Sequence, residues 1–385
     1  MDTLRTIILT FLLFGYTAFL YPNHAGAELN FQLLTTTHGL PTNEIQQVYQ
    51  DKEGFIWLAT RNGLCKYDGY QITVYNSNQF KSAKISSNNV YCIADDNNGT
   101  LWIGTDNGVD RFNKLSGKFE PVDIQNTTHN GVSCILVTRN NEIWIGLDDG
   151  LFRFDPKENA FIHHSLQQIG DLAITASVKS IIEDSSGEIW VGTQDSGLFR
   201  YSPSKNIIHA YPKLNQRNSA HVIYEDSKKK IWVGTYGEGL HLLEYPYDLN
   251  NFHWQTFRHQ ANDPESLSDD IVFDICEDLN TNSLWIGTRS GLSLMEYSHQ
   301  NERIKKLLAY EVNSIIRDNK DNIWIGTIGG GVFSTNTKES KFDFINLEIP
   351  GIAPRAIRSV LLDSDHNMWL GVGTYGVAVH DRKTG

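Results

Sequence analysis

The chain has 385 residues, of which 40% are hydrophobic and 20% charged, and its net charge is −12. That composition is typical of a folded protein with a sizeable core. The longest basic block is the three lysines at 228–230, so we expect neither nucleic acid nor an anionic membrane surface as a partner. Short runs of isoleucine, valine, tryptophan and tyrosine, broken by aspartate, asparagine, serine and 31 glycines, predict an all-β fold.

The N-terminal segment, residues 1–27, has the layout of a secretory signal peptide. Arg5 precedes an apolar run from Thr6 to Leu20, and small residues follow up to Ala27. This layout predicts cleavage after Ala27, a periplasmic location and a mature domain spanning residues 28–385. An uncleaved membrane anchor is the alternative, but the apolar run of about 15 residues is short against the roughly 20 that a span needs. The sequence offers no other transmembrane candidate.

Tryptophan marks an internal repeat. Eight of the nine tryptophans recur at intervals of 39 to 53 residues: Trp57, Trp102, Trp144, Trp190, Trp232, Trp285, Trp324 and Trp369. An aspartate stands six residues before the marker in six units, at Asp51, Asp96, Asp184, Asp226, Asp318 and Asp363. A glycine stands two residues after it in every unit but the first, at Gly104, Gly146, Gly192, Gly234, Gly287, Gly326 and Gly371. In the sixth unit Asp278 stands seven residues before Trp285, because one residue is inserted.

Each unit divides into four strands, which we call a to d. In the first unit the strands are "EIQQVYQ", "FIWLAT", "LCKYD" and "ITVYN", separated by turn residues. Turn chemistry explains Asp51, Gly54 and Gly63, because aspartate accepts backbone N–H bonds and glycine adopts positive φ. We expect Trp57 and its counterparts to wedge between neighbouring sheets, with the following glycine allowing close backbone approach. Four-stranded units of this size predict a β-propeller, in which each unit is one blade.

The ends of the chain predict how the ring closes. The mature chain begins on a strand d, and its last unit ends on a strand c. Eight blades closed by the N-terminal strand are one prediction. The competing prediction is seven blades closed by that strand, with the eighth unit opening a second propeller.

The four cysteines are predicted to be separate buried thiols. Cys92, Cys134 and Cys276 occupy one position of the repeat, where Ser180 and Ser314 stand in other units, and Cys65 lies in a strand c. No Cys/His spacing suggests a metal site, and we expect no metal and no cofactor.

The stretch "GLPTNEIQQVYQDKEGFIWLATRNGLCKYDGYQITVY" resembles the opening of the periplasmic sensor regions of hybrid two-component systems, which are built from two-component-regulator propeller repeats. In that family the propellers are followed by a β-sandwich, a membrane helix and a histidine kinase or diguanylate cyclase output. Only the N-terminal sensory part has a counterpart here. The resemblance therefore implies a ligand-sensing propeller without its own kinase, interpreted as part of a longer sensor. It also implies oligosaccharide ligands and contacts with a second propeller or in a homodimer.

The predicted ligand site lies on the b–c loops, which vary from unit to unit and meet at one mouth of a propeller. Their amide, carboxylate, guanidinium and phenol groups suit a polyhydroxylated ligand. The predicted residues are Arg61, Asn62, Asp106, Asn107, Asp148, Asp149, Gln194, Asp195, Tyr236, Glu238, Arg289 and Tyr375. Trp254, outside the repeat register, is expected to pack along a strand d against the next blade, with stacking on a sugar as the alternative.

No catalytic residue is predicted, and we expect the chain not to be an enzyme. The alternatives are a periplasmic scaffold that binds a protein partner and, less favoured, a propeller enzyme similar to streptogramin lyases, whose chemistry uses a histidine base. The histidines near loops or strand ends are His163, His164, His241, His253, His259 and His380. The acidic turns lack the spacing of an EF-hand loop, and paired glycosidase carboxylates are not evident.

Overall fold

The computed structural model describes residues 29–78, 84–96, 98–163, 176–211, 219–244, 253–296, 303–338, 357–364, 367–372 and 376–380. The predicted signal peptide lies outside these residues. The chain divides into two compact units, Met1–Lys338 and Glu339–Gly385. No helix in the described ranges is long and apolar enough to cross a membrane.

The first repeat forms a four-stranded antiparallel sheet in the predicted order. Its strands are β2 (Ile45–Gln50), β3 (Ile56–Thr60), β4 (Gly63–Tyr67) and β5 (Ile72–Tyr75). They match the predicted strands a, b, c and d to within one residue at most ends. The tight b–c connection places Gly63 at φ 117°, a conformation that favours glycine.

The next five repeats form sheets of the same design. The second and third comprise β6 (Val90–Asp95), β7 (Thr100–Thr105), β8 (Gly108–Asn113), β9 (Lys118–Ile124), β10 (Val132–Val137), β11 (Ile143–Leu147), β12 (Gly150–Asp155) and β13 (Ala160–His163). The fourth and fifth comprise β14 (Val178–Glu183), β15 (Ile189–Thr193), β16 (Leu198–Ser202), β17 (Ile207–Ala210), β18 (Val222–Glu225), β19 (Ile231–Gly234), β20 (Leu240–Glu244) and β21 (His253–Phe257). The sixth comprises β22 (Val272–Asp278), β23 (Ser283–Thr288), β24 (Gly291–Glu296) and β25 (Arg303–Leu308). A short parallel pairing of β13 with β9 joins the outer edges of the second and third sheets.

The seventh sheet closes the ring with a strand from the beginning of the chain. It contains β26 (Glu311–Arg317), β27 (Asn322–Ile328) and β28 (Val332–Asn336), and β1 (Gln32–Leu34) pairs antiparallel with β28. A 3-10 turn, Thr36–His38, then leads from β1 toward β2. The seven a strands contact one another in a closed cycle, in which β26 packs on β2. Residues 29–338 therefore form seven blades around one channel, as in the competing prediction, and the eight-bladed ring is wrong.

The eighth repeat belongs to the second compact unit. It forms a three-stranded antiparallel sheet of β29 (Ile357–Leu362), β30 (Met368–Val372) and β31 (Gly376–His380). Its Trp369 donates an indole hydrogen bond to Asp363 at 2.9 Å, so this unit repeats the local design of the blades.

The core lies between the blades, as the tryptophan spacing predicts. Each of the seven core clusters combines the tryptophan of one blade with apolar residues of the next. Trp144 of the third blade, for example, packs against Val178 and Ile181 of the fourth. The glycine after the tryptophan, present in every blade but the first, makes this contact possible. A Cβ atom on Gly104 would overlap Cys92 Sγ and lie 2.9 Å from Val132 Cγ1 of the next blade.

A hydrogen bond between the repeated aspartate and the repeated tryptophan was not predicted. In the first blade Asp51 Oδ1 accepts the backbone N–H of Phe55 at 3.0 Å, as the turn interpretation expects, while Asp51 Oδ2 accepts the indole N–H of Trp57 at 2.8 Å. The same indole bond, 2.7 to 2.9 Å long, occurs at Trp190, Trp232 and Trp324. One carboxylate thus fixes both the a–b turn and the wedge between blades.

The four cysteines are free thiols, as predicted. Three of them, Cys92, Cys134 and Cys276, lie in a strands, and burial raises the pKa of Cys65, Cys134 and Cys276 to about 12. Such thiols are protonated at neutral pH and unreactive while the fold is intact.

Candidate ligand site in the central channel

The a strands of the seven blades enclose a cavity of about 680 Å³. In each blade two successive residues line the wall, and we call them the second and third residues because they follow a buried apolar residue near the start of strand a: Ile45, Val90, Val132, Val178, Ala220, Val272 or Val312. The second residues differ in every blade: Gln46, Tyr91, Ser133, Lys179, His221, Phe273 and Asn313. The wall therefore combines amide, hydroxyl, amine, imidazole and aromatic groups on a rigid frame.

A β-bulge places the second residues in the channel. In six of the seven blades the pairing of strands a and b shifts register at this position, for example between Val132 and Cys134, so that Ser133 has no partner on strand b. In the fifth blade His221 lies just before β18, and its backbone N–H bonds to Gly234 O at 2.8 Å. A bulge bends the strand and re-aims one side chain. The bulged residues therefore face the channel.

The third residues join neighbouring blades around the channel. Gln47 Oε1 accepts the backbone N–H of Ile93 in the next blade at 2.6 Å. Ser180 Oγ accepts that of Ile223 at 3.2 Å, and Ser314 Oγ accepts that of Val48 across the closure of the ring at 3.1 Å. The polar character of this position thus has a structural cause, which the sequence pattern did not reveal.

Asp274 occupies the same bridging position in the sixth blade. Its Oδ2 accepts the N–H of Ile315 in the seventh blade at 2.6 Å, and its Oδ1 accepts the N–H of Ile275 at 2.8 Å. Burial raises the pKa of Asp274 to about 7, against the opposing effect of these hydrogen bonds. The carboxyl group therefore takes up a proton at a higher pH than an exposed aspartate does.

Two cationic side chains line the channel, and each is paired with a carboxylate. Lys179 Nζ lies 3.1 Å from Asp148 Oδ1, which also accepts the Ser177 hydroxyl at 2.6 Å. Arg61 Nε lies 3.4 Å from Glu44 Oε2. The Ser177 hydrogen bond, followed by the contacts with Lys179, lowers the pKa of Asp148.

Three rings cluster on the side of the channel formed by the fifth and sixth blades. His221 lies 5.5 Å from Phe273 and 5.9 Å from Tyr236, measured between ring centroids. Burial, and then the charge of Lys179, lower the pKa of His221 to about 4, so its imidazole is neutral at pH 7. Tyr236 is 47% exposed and extends the cluster toward solvent. We call His221, Phe273 and Tyr236 the aromatic wall.

The predicted b–c loop residues are only partly brought together. Arg61, Asp106 and Asp148 line the channel, and Tyr236 joins the aromatic wall. Asn107 borders a separate cavity of about 370 Å³ between the second and third blades. Tyr375 lies outside the described residues.

Most of the other predicted residues make hydrogen bonds or ion pairs that stabilise the loops. Asp149 accepts hydrogen bonds from the Thr127–His129 turn, and these hold the pKa of Asp149 well below its usual range despite burial. Arg289 pairs with Asp269 at 3.2 Å, and Glu238 lies 3.6 Å from Arg258. Asn62 donates to Pro41 O at 3.4 Å, while Gln194 and Asp195 are exposed and do not border the channel.

The histidines considered for a lyase do not meet in the channel. His163 packs on Phe152, His241 is buried beside Thr256, His253 is exposed on β21, and His259 bonds to Leu267 O. The side chains of His164 and His380 lie outside the described residues. Only His221, which the sequence reasoning did not select, borders the cavity among the described histidines.

Trp254 lies on β21, the strand d of the fifth blade, as expected. It packs against the cluster formed by the fourth and fifth blades, including Trp190 and Leu243. Trp254 therefore packs against the preceding blade, whereas the sequence predicted contact with the next one. No group of three or more His, Cys, Asp or Glu side chains suited to a metal ion occurs among the described residues.

A family model described as the two component regulator propeller matches five segments of the chain, residues 39–62, 84–107, 173–195, 215–237 and 306–329. Each segment ends in or near a b–c loop of the first, second, fourth, fifth or seventh blade. A curated relative, "Histidine kinase P4" of Formosa agariphila, is 38% identical over 56 residues, which is 14% of this chain and 4% of the relative.

Solved structures share the fold. The extracellular domain of a hybrid two component system from B. thetaiotaomicron aligns with a TM-score of 0.67 and 21% identity over 93% of this chain. The aligned region covers 54% of that domain, so this chain spans about half its length. Virginiamycin B lyase from Staphylococcus aureus aligns with a TM-score of 0.61 and 13% identity, over 80% of this chain and 99% of the lyase. At these low sequence identities the structural similarity shows only that the propeller fold is shared. The fold is therefore a β-propeller, and five of its segments match the two component regulator propeller model.

Proposed function

We propose that this propeller is the extracytoplasmic ligand-sensing part of a two-component regulator and that it binds an oligosaccharide or a similar polar ligand in its central channel. The output would come from another module, since none of the sheets described here carries kinase chemistry. The match to a histidine kinase segment and the fold shared with extracellular sensor domains support the sensing role.

The bulged residues of the a strands carry the proposal. The position before each of them carries a buried aliphatic residue, because it builds the core, whereas these positions carry a different residue in every blade. A pocket with a few convergent polar groups beside an apolar surface is the usual form of a small-molecule site. Here Gln46 and Asn313 offer amides for hydroxyl groups, and the aromatic wall offers ring faces for a sugar.

Ligand binding is tested by thermal shift with a panel of neutral, basic and acidic oligosaccharides, followed by calorimetric titration of any that stabilise the protein. A ligand at a hundred times its Kd stabilises the folded state by about 2.7 kcal/mol, so a binder raises the Tm measurably. We expect Asn313→Ala to weaken this shift. Tyr70→Ala is the matched control, because Tyr70 is 98% exposed in the c–d turn of the first blade.

An oligosaccharide that binds equally well to both variants would place the site outside the channel. No stabilisation by any member of the panel would contradict the proposal and favour a scaffold that binds a protein partner.

A further inference from the structure

We propose that the channel selects a positively charged ligand, of which an oligosaccharide with protonated amino groups is the fitting class. This inference rests on the proposed function and adds the charge of the ligand. Three observations carry it: the pairing of the channel's cations, the carboxylates that remain, and the aromatic wall beside them.

In the described wall of the channel, every cationic side chain is already paired with a carboxylate. Arg61 and Lys179 are its charged bases, and both already contact carboxylates, Glu44 and Asp148. Its one histidine, His221, is neutral at pH 7 because burial lowers its pKa to about 4. An acidic sugar that approached either base would also lie close to the carboxylate that is already paired with it.

Besides the buried Asp274, two carboxylates of the wall lack a cation among the described residues, those of Glu311 and Asp106. Glu311 lies at the start of β26, and its carboxylate makes no ion pair within the described part of the ring. Asp106 accepts a hydrogen bond from Asn89 Nδ2 at 3.3 Å and contacts no lysine or arginine there. Charged hydrogen-bond partners give stronger contacts than neutral ones, so a ligand ammonium group gains most at these two positions.

The aromatic wall reinforces the same preference. Phe273 lies on β22, and β26, which carries Glu311, packs directly against β22. Aromatic ring faces attract cations, and the attraction grows where water is partly excluded. The channel therefore brings ring faces and an unpaired carboxylate to adjacent blades, a combination that suits an amine and not a carboxylate or sulfate.

The test compares three trimers of matched size: triglucosamine, its neutral N-acetylated form, and trigalacturonate. Isothermal titration at low salt and mildly acidic pH, where the amines are protonated, measures each Kd. We expect triglucosamine to bind at least about tenfold more tightly than the N-acetylated trimer, which corresponds to about 1.4 kcal/mol. Its affinity should fall as salt is added, because ions screen the attraction between charges. Trigalacturonate should not bind.

Glu311→Gln is the diagnostic variant, with an expected loss of about tenfold in triglucosamine affinity. Glu265→Gln is the matched control, because Glu265 is exposed on a d–a loop away from the channel and should leave affinity unchanged. If Glu311→Gln fails to fold, Asp106→Asn in the second blade, two blades away, tests the same point.

Equal binding of the neutral and the basic trimer, or a preference for trigalacturonate, overturns the inference and leaves the proposed function standing. Unchanged triglucosamine affinity in folded Glu311→Gln and Asp106→Asn overturns it as well. Absence of binding by every oligosaccharide of the wider panel overturns both the inference and the proposed function.

Discussion

The contribution of the Asp–Trp hydrogen bond can be measured by comparing two tryptophans of the same chain. Trp232 of the fifth blade donates its indole N–H to Asp226 at 2.9 Å. In the sixth blade one inserted residue displaces the aspartate, and Trp285 Nε1 has no hydrogen-bond partner in the described residues. Both indoles are 1% exposed and wedge between blades. Replacing each by phenylalanine therefore removes the same atoms but breaks a hydrogen bond only at Trp232.

The magnitude follows from what each substitution leaves behind. Both variants lose packing, at a cost of about 1–3 kcal/mol for a large-to-small change in a core. Trp232→Phe also removes a donor from the Asp226 carboxylate, which is 4% exposed. Hydrogen bonds to charged groups contribute about 1.5–3 kcal/mol. We therefore expect Trp232→Phe to lower the free energy of unfolding by about 2 kcal/mol more than Trp285→Phe.

The assay is urea unfolding followed by the fluorescence of the remaining tryptophans, with the midpoints compared at a common m value. Equal m values for the two variants would show that both expose the same amount of surface on unfolding. Equal losses of stability, or a larger loss for Trp285→Phe, would refute the argument that this bond stabilises the blades.

Three further predictions concern single residues. Burial raises the pKa of Asp274 to about 7, so the folded state binds this proton more tightly than the unfolded chain does, and stability should fall as the pH rises from about 4 to about 7. Asp274→Asn should flatten this pH dependence of the Tm. An unchanged pH dependence in the variant would assign the effect to other groups. Cys65, with a pKa raised to about 12 by burial, should react with a thiol reagent only on unfolding, and fast labelling of the native protein would contradict its burial. Gly104→Ala should lower the Tm by several degrees because its Cβ would overlap Cys92, whereas Gly99→Ala, with open space around it, should cost only its backbone strain at positive φ.

The sequence predicted the blades better than the site, and the reason is physical. A strand period of two, turn residues and a recurring tryptophan are local signals, so the four strands of the first blade and the wedge of Trp57 were predicted and are confirmed. Ring closure depends on the pairing of Gln32 with Ser334, which are far apart in the sequence. No local pattern can therefore decide between seven and eight blades.

The channel residues were missed because of the bulge. In a regular strand Tyr91 and Phe273 read as ordinary positions of an alternating pattern, and only a register shift against strand b directs such residues into the channel. A comparison of the second residue of each a strand would have found the signal, since this position varies while the residue before it is always aliphatic. The b–c loops vary as well, but many of their side chains, such as Asp149, are engaged in fixing the loop itself.

The three-residue strand that closes the ring also sets an order of events during folding. Six blades are each made from one continuous stretch of chain and can form as soon as that stretch has been synthesised. β1 pairs with β28 about 300 residues later, a separation of roughly 15 to 60 s at ordinary rates of translation. For that interval the backbone groups of β1 have no native partner. A closing strand as short as Gln32–Leu34 offers little edge for wrong pairing while the seventh blade is still being made.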